Sequence, residues 1–217
     1  MKFEKIAGNT FYFSGPSAVG VYIFDDHSCL LIDSGDRIGQ TGQIIEVLKE
    51  KNLTVYGIIN THAHADHCTG NKLIQDRTGC KIYASRLEKV IIENPLLTLL
   101  GIYSASPLKA LQNKYLIVEP SVVTEEAAPG SVVINNTPFT ILGLSGHSID
   151  QIGILTPDGV AFIGDSLIAP KILNNYGFLY IADVGKQLET LNYLGTADFS
   201  QVFLTHGGII KDLAAVT

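Results

Sequence analysis

The chain is 217 residues long, 46% hydrophobic and 17% charged, which suits one globular domain with a sizeable core and excludes a disordered tract. Its 15 basic residues against 21 acidic ones leave a net charge of -6, removing the attraction that underlies most binding to nucleic acid or anionic lipid. Apolar runs are short and cut by Gly, Asp and Pro, so none nears the roughly 20 residues that cross a bilayer. The opening MKFEKIAGNT has no apolar block of the kind a secretory leader carries. Cys29, Cys68 and Cys80 lack C-x-x-C spacing and read as reduced thiols. The expectation is a soluble cytoplasmic protein without a nucleic-acid or membrane partner.

In chain order, TFYFSG, VGVYIF and CLLIDSG read as strands separated by turns at Gly15-Pro16 and Asp25-Asp26-His27. IGQTGQIIEVLKEKN places Ile38, Ile44, Ile45 and Leu48 at helical spacing, and the apolar strand TVYGIINT follows. CTGNKLIQDRTG reads as a second helix and CKIYAS as a short strand. From Arg86 to Leu116 the leucine-rich pattern predicts two or three short helices broken by Pro95, Gly101 and Pro107, an insertion within a single domain spanning residues 1–217. Strand signals return in SVVI, FTILGL, QIGILT and VAFIGD, followed by a helix in VGKQLETLNYLG and a last strand in QVFLTHG. The pattern predicts an α+β fold with two sheets packed face to face and helices outside, although an ordinary α/β sheet fits it too.

The chemistry concentrates at Thr61-His62-Ala63-His64-Ala65-Asp66-His67, directly after the buried strand. Three imidazoles and a carboxylate lie within six residues, and the alanines between them leave room for a turn that points all four inward. Imidazole nitrogen and carboxylate oxygen are ligands for Zn²⁺ and for iron or manganese. A polar turn with Asp66 as helix cap is the simpler alternative. It leaves unexplained why five of the six histidines sit either here or at two other strand ends. Those are His147 in LSGHS and His206 in LTHGG, each flanked by glycine. Asp165, in FIGDS, ends an apolar strand where a buried carboxylate needs a partner or a metal to offset desolvation.

HAHADH, SGHS, GDS and THGG, together with the early LLIDSGD turn, resemble the motifs of the metallo-β-lactamase superfamily, in order from about residue 10 to 208. The resemblance, glyoxalase II-like among zinc-dependent hydrolases, implies a four-layer αββα sandwich. It also implies two divalent ions, zinc foremost with iron or manganese as alternatives. His62, His64 and His147 would hold one ion and Asp66, His67 and His206 the other, with Asp165 bridging and Asp33 orienting a ligand. The implied activity is hydrolysis of a small ester, thioester or lactone by a metal-bridging hydroxide, with Asp66 as the catalytic proton carrier and no Ser or Cys nucleophile. Cys68 reads as a small buried side chain.

Four other readings compete. Flavo-diiron oxidoreductases usually have a carboxylate where this chain has His64. Persulfide dioxygenases share the HxHxDH stretch and would hold one iron on His62, His147 and Asp165, but the Arg expected soon after Asp165 is missing. A metal-free binding module is the third; an RNA phosphodiesterase is a further runner-up, though it would usually need a basic groove or an appended domain. The 86–116 insertion would either roof the site with an apolar entrance or form a packing or homodimer face. Tyr176, Tyr180 and Lys171 are candidates for substrate contact. Relatives usually continue with a substantial helix after the last His-Gly, so this chain either makes do with a short one or is a fragment.

Overall fold

A computed structural model describes residues 1–106, 108–112, 116–169, 179–210 and 213. Lys171 and Tyr176, proposed above as substrate contacts, lie outside the described residues, as does most of the segment after Ile210.

The first half of the chain builds a seven-stranded sheet in sequential order: β1 (Phe3–Ala7), β2 (Thr10–Phe13), β3 (Val19–Ile23), β4 (Ser28–Ile32), β5 (Thr54–Ile59), β6 (Lys81–Ala84) and β7 (Glu125–Glu126). β1 to β4 pair antiparallel, and β4 to β7 parallel with helical crossovers between them. These crossovers are α1 (Ile38–Glu50), α2 (Ala65–Cys68) with α3 (Asn71–Thr78), and α4 (Arg86–Glu93) with α5 (Leu96–Tyr103). The second half builds a six-stranded sheet from β8 (Gly130–Ile134), β9 (Thr137–Gly143), β10 (Ile152–Leu155), β11 (Val160–Phe162), β12 (Gln201–Leu204) and β13 (Gly208–Ile210). Only β11 and β12 pair parallel, joined through α6 (Val184–Thr196).

Strand alternation turns this order into layers. On β4, Leu30 and Ile32 face the second sheet and meet Phe139, Ile141, Ile152, Phe162 and Phe203. Cys29 and Leu31 face outward onto Ile44 and Leu48 of α1 and Ile74 of α3. The second sheet repeats the device: Val160 and Phe162 point between the sheets, while Ala161, with Ile163 just past the strand end, packs under Leu194 of α6. Three apolar interfaces therefore separate four layers, the αββα sandwich implied by the sequence.

The strand and helix expectations hold with three additions and one split. β1, β7 and β13 were not foreseen: β1 is a half-exposed edge, β7 has two residues and β13 three. The helix expected at CTGNKLIQDRTG begins earlier, at Ala65, and breaks at Gly70, where a Cβ would lie 2.4 Å from the Ser34 carbonyl oxygen. The 86–116 stretch forms α4, α5 and a 3-10 turn at Lys109–Leu111, and Leu96, Leu97, Ile102 and Tyr103 of α5 are exposed. Among the described residues no helix is long and apolar enough to cross a membrane.

Candidate metal centre

β4 and β5 run parallel in the first sheet, and β9, β11 and β12 share one direction in the second. The carboxyl ends of these five strands carry Asp33, the 62–67 loop, His147, Asp165 and His206, so strand direction alone gathers residues far apart in sequence. Two backbone hydrogen bonds tie the loops across the sheets: Ile152 N–H donates to the Thr61 carbonyl at 2.9 Å, and Ala18 N–H to the Thr205 carbonyl at 3.2 Å. Glycine makes the approach close enough. Gly164 (φ +55°), just before Asp165, lies where a Cβ would stand 2.9 Å from Thr61 Oγ1, and Gly146 (φ +143°), just before His147, where one would meet Gln187 Cα at 2.5 Å.

All seven predicted donors come together, in two groups. His62, His64 and His147 form one and Asp66, His67, Asp165 and His206 the other, the ligand atoms of each lying within 4.8 Å of one another. In the first, His147 Nε2 faces His64 Nδ1 at 3.0 Å. In the second, His206 Nε2 stands 3.0 Å from Asp66 Oδ2, and His67 Nε2 3.4 Å from Asp165 Oδ1. Asp165 Oδ2 is 3.6 Å from both His147 Nε2 and His206 Nε2, between the groups.

Burial sets the charges. It lowers the His62 and His147 pKa values and brings His64 down to about 4, leaving neutral imidazoles. Burial also disfavours charge on His67, but Asp165, Asp33 and Asp66 outweigh it and hold His67 well above its usual range. His206 is raised against the same burial penalty by its hydrogen bond to Asp66 and by Asp165. Asp66 and Asp165 lie below the usual carboxylate range, the nearby His67 charge overcoming their desolvation. The second group thus pairs cationic imidazoles with carboxylates, and a divalent cation would take the place of that proton charge.

The outer nitrogens are fixed as well. Asp33, itself at φ +63°, accepts Thr61 N–H at 2.8 Å through Oδ1 and holds His67 Nδ1 at 2.7 Å through Oδ2, turning Nε2 inward. His206 Nδ1 donates to the Pro16 carbonyl at 2.7 Å. The Tyr180 ring is centred 5.5 Å from that of His64 and 6.2 Å from that of His147. Cys68 is buried and donates to the His62 carbonyl at 3.1 Å, a packing role.

Three buried atoms of the set have no hydrogen-bond partner: His62 Nε2, His67 Nε2 and Asp165 Oδ1. Buried polar groups are rarely left so, and the two histidines have their other nitrogen at hydrogen-bond distance from Thr61 and Asp33. The donors fit divalent ions on that ground.

The family model described as the metallo-beta-lactamase superfamily matches residues 14–207. The chain belongs to that superfamily. Similar proteins include a hydroxyacylglutathione hydrolase of Pseudoalteromonas translucida, 29% identical over 132 residues, covering 60% of this chain but only 40% of that relative. The probable metallo-hydrolase YqgX of Bacillus subtilis is 26% identical over 180 residues, 82% of this chain and 76% of its own. Among solved structures, the FEZ-1 metallo-β-lactamase of Legionella gormanii superposes with TM-score 0.76 at 18% identity, over 95% of this chain and 79% of that one, a likeness of fold.

A cavity of about 150 Å³ opens beside His147 and Asp165, lined chiefly by Leu167, Ile168, Leu179, Ile181 and Leu191, with Tyr180 at its side. Among the described residues none of the 86–116 insertion lines it; the lining comes from the loop after β11 and from α6, which leaves the packing-face alternative for the insertion. Sequence reasoning passed over Ser17 and Glu88 and gave Thr61 no role, although Thr61 meets Asp33, Ser17 stands 3.4 Å from Asp66 and Glu88 bonds the backbone beside the donors.

Proposed function

We propose that this chain is a metal-dependent hydrolase of small esters, thioesters or lactones. It would hold one divalent ion on His62, His64 and His147 and a second on Asp66, His67 and His206, with Asp165 between them. The observation that carries the reading is the set of three buried, unpartnered atoms of His62, His67 and Asp165. When bound, such a pair supplies Lewis acidity, which lowers the pKa of water toward neutrality and polarises an acyl oxygen.

The protein's own part is placement and proton handling. Asp66 is partly exposed, with Oδ2 held by His206 and 3.4 Å from Ser17 Oγ, so it faces both the donors and the solvent and can take and return a proton at that oxygen. The apolar cavity would seat the acyl group and exclude water from it. Tyr180 would lie over the same group. The hydroxyacylglutathione hydrolases among the relatives favour a thioester within this class. The one-iron alternative would gather His62, His147 and Asp165; Asp165 Oδ2 is as near His147 Nε2 as His206 Nε2, at 3.6 Å, so the reaction itself separates the two readings.

The test joins elemental analysis to an ester and thioester panel, with oxygen uptake on glutathione persulfide as the control. Two zinc, iron or manganese ions per chain and loss of hydrolysis in His147→Ala and Asp66→Ala are expected. Full turnover in either variant, or oxygen uptake in place of hydrolysis, would refute the reading.

A further inference from the structure

We propose that Glu88, which touches no donor, is a positioning residue that locks the two loops of the His62/His64/His147 group in register; the inference rests on the metal reading above. Its carboxylate bridges those loops. Oε2 accepts the N–H of Ala63, the residue between His62 and His64, at 2.9 Å. Oε1 accepts the Asp150 N–H at 3.0 Å and the hydroxyl of Ser148, the residue after His147. One side chain on α4 thus joins the loop that carries two of these histidines to the loop that carries the third.

The helix departs from its local preference to provide this. Ser85 and Glu88 stand at the N-cap and third positions of α4, where S-x-x-E ordinarily folds back on itself as a capping box. Neither does so. Ser85 makes no side-chain cap bond and donates to the Asp150 carbonyl at 2.6 Å. The first-turn N–H of Leu87 is taken at 2.9 Å by the Asp150 carboxylate, a cap supplied from the far loop. Glu88 is fully buried, and burial pushes its carboxyl pKa up. A buried carboxylate is costly unless its lone pairs are used. All the bonds described for this one are spent on the two loops, and a cap needs none of that burial. Breaking a local rule at such cost marks a constraint set elsewhere in the fold.

Glu88→Gln separates positioning from folding. An amide has one acceptor oxygen, so in either orientation an NH2 meets an N–H or takes over a hydroxyl's contact, and the bridge opens at one end while α4 stays docked through Ser85 and Leu87. Metal-free wild type, Glu88→Gln and Glu88→Ala are titrated with Zn²⁺ against a chromophoric chelator, each also in a His206→Ala background that spares the first group and a His64→Ala background that spares the second. In the His206→Ala background both substitutions should weaken zinc about 10- to 100-fold, the range for lost supporting contacts, and in the His64→Ala background by less than about twofold. Unchanged affinity in the first background, or equal weakening in both, overturns the inference and leaves the metal reading standing. A wild-type chain that takes up no zinc removes both.

Discussion

Replacing Asp33 by Asn probes how the second group is built. The residue sits at φ +63°, a region Asn tolerates better than most residues, so the backbone should not move. Asp33 uses one oxygen on Thr61 N–H at 2.8 Å and the other on His67 Nδ1 at 2.7 Å, all of it buried. The amide keeps one acceptor, so its NH2 faces either the Thr61 N–H or the His67 Nδ1–H. His67 can relieve the second clash by moving its proton to Nε2, but Nε2 is the nitrogen aimed at Asp165, and a protonated nitrogen cannot ligate. An unmet buried donor costs about 1–3 kcal/mol. At 1.4 kcal/mol per factor of ten, that is a loss of about 5- to 150-fold in affinity for the second ion. Where the metal-free fold bears the cost instead, the affinity is spared and Tm falls by about 2–4 °C per kcal/mol in a domain of this size. Chelator competition and thermal melts of metal-free Asp33→Asn read both quantities. Wild-type affinity for two ions together with an unchanged melt would show that the carboxylate does not set the His67 tautomer.

Three further outcomes follow from the geometry. Cys29, Cys68 and Cys80 are buried, with Cys29 pushed up to about 12 by burial and the others raised too, so a thiol reagent at pH 8 should count none in the native protein and three after guanidinium. Fast labelling of any of them in the native state would contradict the core assignment. In the metal-free protein, the raised pKa values of His67 and His206 mean the folded chain binds their protons more tightly than the unfolded one. The stability they lend is complete below about pH 6.5 and drains as pH rises through the folded values. Melts across pH 7 to 9, above the range in which the depressed His62, His64 and His147 add stability with rising pH, should show that decline without ions and lose it with ions bound. Gly146→Ala should destabilise by about 1–3 kcal/mol through strain at φ +143° and contact with the Gln187 backbone, as a shift in urea midpoint, and should weaken the ion on His147. An unchanged midpoint would refute the close approach of that loop to α6.

The site was legible where its chemistry is local or typed. HAHADH packs four donors into six residues, and His147, Asp165 and His206 each end an apolar strand beside glycine, so residue type and strand end sufficed. Asp33 was legible through the resemblance as a residue that orients a ligand, but only the structure shows it binding Thr61 and His67 together. Glu88 was not legible: its partners lie 25 and 60 residues away, and its S-x-x-E context points to an ordinary cap. The apolar cavity escaped for a related reason. Leucines in the 86–116 insertion make the stronger hydrophobic signal, yet α5 leaves several of them exposed while Leu167, Ile181 and Leu191, from separate segments, line the cavity. β1, β7 and β13 are too short or too exposed at an edge to announce themselves by periodicity; pairing with a neighbour makes them strands.

Every strand of the first sheet precedes every strand of the second along the chain, with the changeover between Glu126 and Gly130. His62, His64, Asp66 and His67 belong to the leading half; His147, Asp165 and His206 belong to the trailing one. Each half is therefore an incomplete chelate. An ion seated in either group would add to the cross-sheet hydrogen bonds and the apolar core that already join the halves, and sliding one half against the other would break its coordination before any strand pairing.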